Sequence, residues 1–197
     1  MKITVYGASS DEIKKIYLEE VESLGEKMAK RGHSVVFGAG DGGCMGAVAR
    51  GAHKAGGEII GVIPTFFNVD GVISPHCTEI IKTVTMRDRK EILEDEAGAF
   101  IVTPGGIGTF DEFFEIITLK QLQRHKKAIA IYNVDGYFDM LHDMLKKLVD
   151  EGFMREASAR LVEFFTDADE MLDYIENYNP EDLDIEELKH LITGEDK

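Results

Sequence analysis

Short apolar runs alternate with longer amphipathic stretches along most of this 197-residue chain. Runs such as "EIIGVI", "AFIV" and "AIAIY" are apolar at every position, which is typical of parallel strands buried on both faces of a sheet. The pattern predicts strands at 2–6, 34–37, 58–63, 79–83, 99–102, 128–132 and 161–166.

The stretches between these runs place apolar residues at helical spacing. The stretch between the first two strands predicts a helix. Ser9 with Glu12 fits a capping box at the start of this helix, and Gly32 marks its end. Further helices are predicted at 47–55, 86–96, 110–123, 137–151 and 167–178. Strands that alternate with helices indicate βαβ units, and hence an α/β fold with a doubly wound parallel sheet in three layers.

Composition limits the number of domains and the compartment. With 44% hydrophobic and 30% charged residues, the chain suits one soluble domain over residues 1–178, followed by a loosely attached acidic tail at 179–197. Because no apolar run approaches the ~20 residues that span a bilayer, no membrane partner is expected. The chain enters a strand at once, so no targeting peptide is expected either. The two cysteines are 33 residues apart, and the expected location is the reducing cytoplasm.

The net charge and the histidine spacing argue against a nucleic-acid partner and against a metal site. The net charge of −15 repels phosphate backbones, so no nucleic-acid partner is expected. The six histidines have no H-E-x-x-H or paired spacing, and no metal is expected. Any anion that this protein binds must therefore be held by local donors.

Glycine-rich turns supply such donors. In an open parallel sheet, ligands lie beyond the carboxyl ends of the strands. The stretch "VTPGGIGTFDE" joins a strand to a helix there, and Thr109 can cap that helix. A helix N-terminus carries unpaired amides and partial positive charge, which suit a phosphate. The same residues also fit a capping box in which Glu112 only accepts the Thr109 amide.

Three motifs in one order carry a more specific signal. They are "GAGDGGCMG" at 38–46, "MRDRK" at 86–90 and "PGGIGTFDE" at 104–112, the last matching P-G-G-x-G-T-x-x-E. From about residue 3 to 153, the chain closely resembles the LONELY GUY family of cytokinin-activating phosphoribohydrolases, which are often mislabelled lysine decarboxylases. It departs from the usual family pattern at Ala39 and Cys44 in the first motif and at Asp111 in the last.

The resemblance implies a Rossmann-like homodimer that hydrolyses the N-glycosidic bond of nucleoside 5′-monophosphates such as AMP or N6-modified AMP, without a cofactor. It places the family's catalytic arginine on Arg89 and its catalytic glutamate on Glu112. The family's phosphate-binding residues fall on Gly105, Gly106, Gly108 and Thr109, with Lys90 beside the arginine.

Three further residues are weaker candidates for substrate contact. Ser9 is either a simple cap or a nucleotide contact, Met86 either walls the base or fills the core, and Gly43 belongs to a G-x-G-x-x-G match that follows the second strand rather than the first. The segment 65–76, with Phe66, Phe67 and Asp70, is either a lid or a surface connection.

The residue types suit the implied reaction. Cleavage of a ribosyl C1′–N bond builds positive charge on the sugar, which a carboxylate at Glu112 can stabilise while it activates water. Arg89 is too basic to be an efficient acid, and it is expected to stabilise and position charge. The alternative is a non-catalytic carrier of a nucleotide or of a molybdenum-cofactor-like phosphate. A pyridoxal decarboxylase is disfavoured because the chain lacks room for a large cofactor domain.

The helix at 110–123 also predicts an interface. Its apolar residues cover more than one stripe, so it is either sandwiched in the core or part of a subunit interface. We expect a homodimer through this helix and the helix at 86–96, since two-fold dimers are the commonest oligomers.

Overall fold

The computed structural model describes residues 1–67, 72–180 and 185–188. Seven strands form one sheet in the order β4-β3-β2-β1-β5-β6-β7, and every pair is parallel. The strands are β1 Lys2–Tyr6, β2 Ser34–Phe37, β3 Ile59–Pro64, β4 Glu79–Thr83, β5 Ala99–Val102, β6 Ala128–Tyr132 and β7 Glu163–Phe165. The predicted α/β fold with a doubly wound, Rossmann-like sheet is confirmed.

Helices cover both faces of the sheet. They are α1 Lys15–Lys30, α2 Gly43–Lys54, α3 Met86–Asp95, α4 Ile107–Gln121, α5 Asp139–Asp150, α6 Glu156–Ala159, α7 Ala168–Glu176 and α8 Ile185–Leu188. One core cluster packs α1, α2 and α7 on the sheet, and the other packs α3, α4 and α5 on its opposite face. These are the three predicted layers. Within the described residues, no helix is long and apolar enough to cross a membrane.

Most strand positions are as predicted, because fully buried runs leave little choice of conformation. All residues of β3, β5 and β6 are buried. The predicted last strand is shorter, since only Glu163–Phe165 pairs with β6. Helix α6 lies in a segment for which the sequence predicts no element.

Three helix starts differ from prediction by three residues or more, and one of them is α2, which begins at Gly43 rather than at 47. Helix α1 begins at Lys15 without a side-chain cap, because Ser10 Oγ accepts the Glu12 amide in a local turn and Ser9 forms no capping box. Helix α4 begins at Ile107 after an N-cap at Gly106, so Thr109 lies inside the first turn rather than capping it. The Thr109–Glu112 capping box is therefore absent, and the Glu112 carboxylate has another partner.

Part of the acidic tail packs against the sheet-covering helices. Leu188 is 2% exposed, and its carbonyl oxygen accepts hydrogen bonds from Ser158 Oγ at 2.5 Å and Gln121 Nε2 at 3.2 Å. The expectation of a loosely attached tail is thus wrong for this residue. Tail residues 181–184 and 189–197 lie outside the described residues, as does Asp70 of the segment 65–76.

Candidate active site

Hydrogen bonds join the turns that follow β1 and β5 at the point where the strand order reverses. The Ala8 amide donates to Pro104 O at 3.0 Å, and Thr103 Oγ1 donates to Tyr6 O at 2.9 Å. Here the chain leaves β1 toward β2 and returns at β5 on its other side. A ligand cleft is expected at such a switch point.

A cleft of about 730 Å³ opens there. Its lining comes from the turns after β1, β2, β3 and β5 and from the start of α3. Of the predicted site residues, it brings together Ser9, Met86, Arg89, Lys90, Gly106, Gly108, Thr109 and Glu112.

The first turn of α4 presents unused donors to this cleft. Within the described residues, the amides of Ile107, Gly108 and Thr109 donate to no protein acceptor. Gly106 and Gly108 are exposed, and a Cβ added at either would meet no heavy atom within 4 Å. The helix start is thus open to a ligand, as an anion site requires.

Gly105 and Gly43 lie elsewhere than a ligand-contact role suggests. Gly105 is buried, and a Cβ there would lie 2.1 Å from Thr109 Oγ1 and 2.9 Å from the Ala8 amide nitrogen. The amide of Gly43 donates to Asp11 Oδ1 at 2.8 Å, and its φ of +61° favours glycine. Neither glycine lines the cleft, so both act in this structure as packing positions behind it.

Arg89 and Glu112 form an ion pair inside the cleft. Arg89 Nη1 donates to Glu112 Oε1 at 2.8 Å, and the two side chains are 10% and 13% exposed. Arg89 Nε also donates to Val62 O at 3.2 Å. The guanidinium crosses the turn after β2 so closely that a Cβ on Gly38 would lie 2.0 Å from Nη2.

The capping box of α3 fixes the position of Arg89 in that helix. Thr85 Oγ1 accepts the Asp88 amide at 3.1 Å, and Asp88 Oδ2 accepts the Thr85 amide at 3.0 Å. This capping box places Arg89 one turn inside α3, on its buried side. The sequence signal was present as Thr-x-x-Asp, with Asp in place of the usual Glu or Gln.

Burial sets the electrostatics of Glu112. Loss of solvent raises the pKa of its carboxyl above the ordinary 4.5, while the Arg89 charge and hydrogen bond act in the opposite direction. Lys90 Nζ donates to Glu115 Oε2 at 2.8 Å and Asp111 Oδ2 at 3.2 Å, and these bonds raise its pKa. Lys90 therefore reaches the cleft rim as a charged group already paired with carboxylates.

The end of β3 and the turn after it also reach the cleft, although the sequence analysis names neither Ile63 nor Pro64 as a site residue. Ile63, Pro64 and Phe67 line the cleft, and Phe67 is 44% exposed. The rule that ligands gather at strand carboxyl ends applies to β3 too and would have found Ile63 and Pro64. Phe67 belongs to the segment 65–76, whose described residues thus reach the cleft.

The other reactive side chains lie in packing environments. Burial raises the pKa of Cys44 and of Cys77 to about 11, so both thiols are protonated at neutral pH. In the described parts of the chain, no three histidine, cysteine or acidic residues are grouped to hold a metal ion.

Comparisons with known proteins show the family to which the chain belongs. A family model described as "Possible lysine decarboxylase" matches residues 45–175. A cytokinin riboside 5′-monophosphate phosphoribohydrolase of Arabidopsis thaliana is 34% identical over 91% of this chain and 84% of its own. Another from Oryza sativa subsp. japonica is 36% identical over 91% of this chain and 74% of its own.

Solved structures share the fold at lower identity. The molybdenum cofactor binding protein of Rippkaea orientalis has a TM-score of 0.68 and 20% identity, over 89% of this chain and 94% of that one. The molybdenum cofactor carrier protein of Chlamydomonas reinhardtii has a TM-score of 0.68 and 21% identity, over 89% and 95%. The fold is common to both groups, and the sequence likeness over nine-tenths of the chain decides between them: this chain belongs to the LONELY GUY family of cytokinin riboside 5′-monophosphate phosphoribohydrolases.

Proposed function

We propose that this protein hydrolyses the N-glycosidic bond of nucleoside 5′-monophosphates, AMP or an N6-modified AMP, to the free base and ribose 5-phosphate. The observation that carries the proposal is the buried Arg89–Glu112 pair, which lies in the same cleft as the open N-terminus of α4. A pure anion binder has no use for a carboxylate beside its anion site. The names of the relatives support the same reaction.

In this proposal the amides at the start of α4 hold the 5′-phosphate. Gly106, Ile107, Gly108 and Thr109 supply the donors and the helix dipole favours the charge. These local donors work against a net charge of −15, and Lys90 at the rim is already paired with Asp111 and Glu115. Residues 1–178 act as the nucleotide-binding unit.

Glu112 lies one helical turn beyond these amides, which suits a group that acts on the ribose. As C1′ loses its bond to the base nitrogen, the Glu112 carboxylate stabilises the developing cation and orients water. The water oxygen bonds to C1′, and a water proton ends on the departing base. Arg89 holds the carboxylate in place and stabilises charge, because a guanidinium is too basic to donate that proton efficiently.

Met86 and Ser9 lie on the cleft wall, where Met86 packs the base and Ser9 contacts the nucleotide. The proposed unit in solution is a homodimer. Phe114 on α4 does not line the cleft and leaves 38% of its surface uncovered, which supports contact through this helix.

Incubation with a panel of substrates tests the proposal. We expect free base and ribose 5-phosphate from AMP or its N6-modified forms, little cleavage of adenosine, and no product from lysine. Equal cleavage of adenosine and AMP would contradict the phosphate anchor. Tight nucleotide binding without cleavage of any monophosphate would favour a carrier function, as in the name of the structurally similar molybdenum cofactor carrier protein.

A further inference from the structure

Two helices begin at the wall of the active-site cleft, and their first amides differ in what they bind. Gly42, the N-cap of α2, and the first turn of α4 both line the cleft. Within the described residues, the first amides of α4 have no protein acceptor. The start of α2 follows the G-x-G-x-x-G match at residues 38–43, a pattern that in dinucleotide-binding folds places a pyrophosphate at the helix N-terminus.

In this chain the carboxylate of Asp11 occupies the start of α2. Gly43 is the first residue of α2, and its amide donates to Asp11 Oδ1 at 2.8 Å. The other carboxylate oxygen is also close to the helix start, since a Cβ on Gly42 would lie 3.4 Å from Asp11 Oδ2. The chain therefore supplies its own anion at the position where the glycine pattern would otherwise hold a phosphate.

The starts of α2 and α4 are neighbours, because both contact Ala8 in the turn after β1. Ala8 O accepts the amide of Met45 on α2 at 3.1 Å, and the Ala8 amide donates to Pro104 O at 3.0 Å. A Cβ on Gly105, just before α4, would lie 2.9 Å from the same Ala8 nitrogen. A phosphate chain that begins at α4 and extends to the second helix N-terminus would therefore meet the Asp11 carboxylate.

The charge of Asp11 acts on the contents of the cleft. Asp11 lines the cleft, and a hydrogen bond from an uncharged amide leaves the negative charge of its carboxylate in place. Like charges repel, and the repulsion grows with the charge of the bound phosphate chain. A diphosphate carries more negative charge than a phosphate monoester, so Asp11 disfavours the diphosphate more strongly.

We propose that Asp11 selects the length of the phosphate chain: its carboxylate fills the start of α2, so that the cleft takes a nucleoside 5′-monophosphate at α4 and disfavours nucleoside diphosphates. This inference rests on the proposed function, because it takes the start of α4 as the phosphate site. Asp11 acts on the charge of the bound nucleotide and not on the reacting atoms, so it is a specificity-determining residue.

The carbocyclic analogues of AMP and ADP test the inference in the intact protein. A CH₂ group replaces the ring oxygen in these analogues, so they cannot form the stabilised sugar cation and stay intact during isothermal titration. We expect the wild type to bind the monophosphate more tightly than the diphosphate. Asp11→Asn keeps an oxygen that can accept the Gly43 amide but removes the charge, and it should narrow the ratio of the two dissociation constants roughly fivefold. Asp11→Ala also frees the amide and should narrow the ratio further.

Glu12→Gln is the matched control. It removes the same charge from the next residue, which is exposed and does not line the cleft, so its ratio should equal that of the wild type. An unchanged ratio in Asp11→Asn would overturn the inference and leave the proposed hydrolysis standing, even if Asp11→Ala failed to fold. Equal affinity of the wild type for the two analogues would do the same. A wild type that binds neither analogue would instead contradict the proposed function, and this inference with it.

Discussion

The phenolic hydroxyl of Tyr137 donates a 2.6 Å hydrogen bond to the carbonyl oxygen of Gly105. In a trans peptide the C=O and N–H point in opposite directions, so this bond fixes the direction of the Gly106 N–H. Gly106 lines the cleft at the start of α4. Tyr137, which follows β6, thus sets the orientation of a proposed phosphate donor from a neighbouring turn.

Substitution Tyr137→Phe should therefore weaken phosphate recognition more than chemistry. Loss of one hydrogen bond that orients a donor is worth about 1 kcal/mol, so we expect KM for AMP to rise roughly fivefold with kcat within twofold of the wild type. Steady-state kinetics with AMP and adenosine measure this change.

Tyr132→Phe is the matched control. Tyr132 also donates its hydroxyl to one acceptor, Glu20 Oε2 at 2.8 Å, but neither residue lines the cleft. Its KM should stay at the wild-type value. Equal KM values for the two variants would remove Tyr137 from the phosphate site.

Replacement of Glu112 by Gln tests the proposed role of its charge. The amide oxygen can still accept from Arg89 Nη1, so the fold should remain. Loss of the carboxylate should lower kcat by about 10²- to 10⁴-fold, as for one positioned catalytic group. Ribose 5-phosphate release and circular dichroism are the two measurements.

Glu91→Gln serves as its control because Glu91 is exposed on α3 and does not line the cleft. It should retain full activity. A folded and active Glu112→Gln protein would exclude Glu112 from the mechanism.

The pH dependence follows from the burial of Glu112. If the ionised carboxylate is required, kcat/KM should fall as pH drops through a pKa above the ordinary 4.5. Because Arg89 lowers this pKa, Arg89→Met should move the acid limb of its residual activity to higher pH. Lys90→Met should move the acid limb less, since the Lys90 charge lowers the pKa of Glu112 less than the Arg89 charge does. An acid limb that does not move in Arg89→Met would show that another group titrates.

Two glycines of the same turn should respond differently to alanine. In Gly105→Ala the new Cβ would lie 2.1 Å from Thr109 Oγ1, and overpacking of this kind costs about 1–3 kcal/mol. In Gly108→Ala it would meet no protein atom, and alanine favours a helix, so stability should be unchanged or higher. We expect KM for AMP to rise in Gly108→Ala, because the methyl group lies where a phosphate approaches.

Thermal unfolding together with KM separates these effects. A Gly108→Ala protein with wild-type KM would show that the nucleotide does not approach this turn.

The proposed homodimer depends on the exposed side of α4. Phe114→Glu should convert the dimer to a monomer in size-exclusion chromatography with light scattering, because a buried unpaired charge disfavours the contact. Ile16→Glu on α1 is a matched control, since Ile16 and Phe114 are both 38% exposed. A wild-type monomer at micromolar concentration would contradict the dimer.

Helix starts show where sequence reasoning failed. Ser9 with Glu12 and Thr109 with Glu112 fit the same capping pattern, yet neither pair forms a box in the structure. Thr85 with Asp88 forms one. A capping motif describes local hydrogen bonds only, whereas the helix start also depends on which neighbouring turn supplies a partner. Asp11, for example, is held by the amide of Gly43.

By itself the sequence determined the fold, and most of the residues that it predicted for the site line one cleft, whereas Gly43 and Gly105 do not. Short, fully apolar runs such as Ala99–Val102, alternating with longer helical stretches, are typical of a parallel sheet buried on both faces, and that sheet gathers its glycine turns at one edge. Tertiary structure alone decided which groups meet. Arg89 and Glu112 are 23 positions apart on different helices, and Tyr137 reaches Gly105 from another turn. Contacts of this kind depend on packing between elements, which no local periodicity encodes.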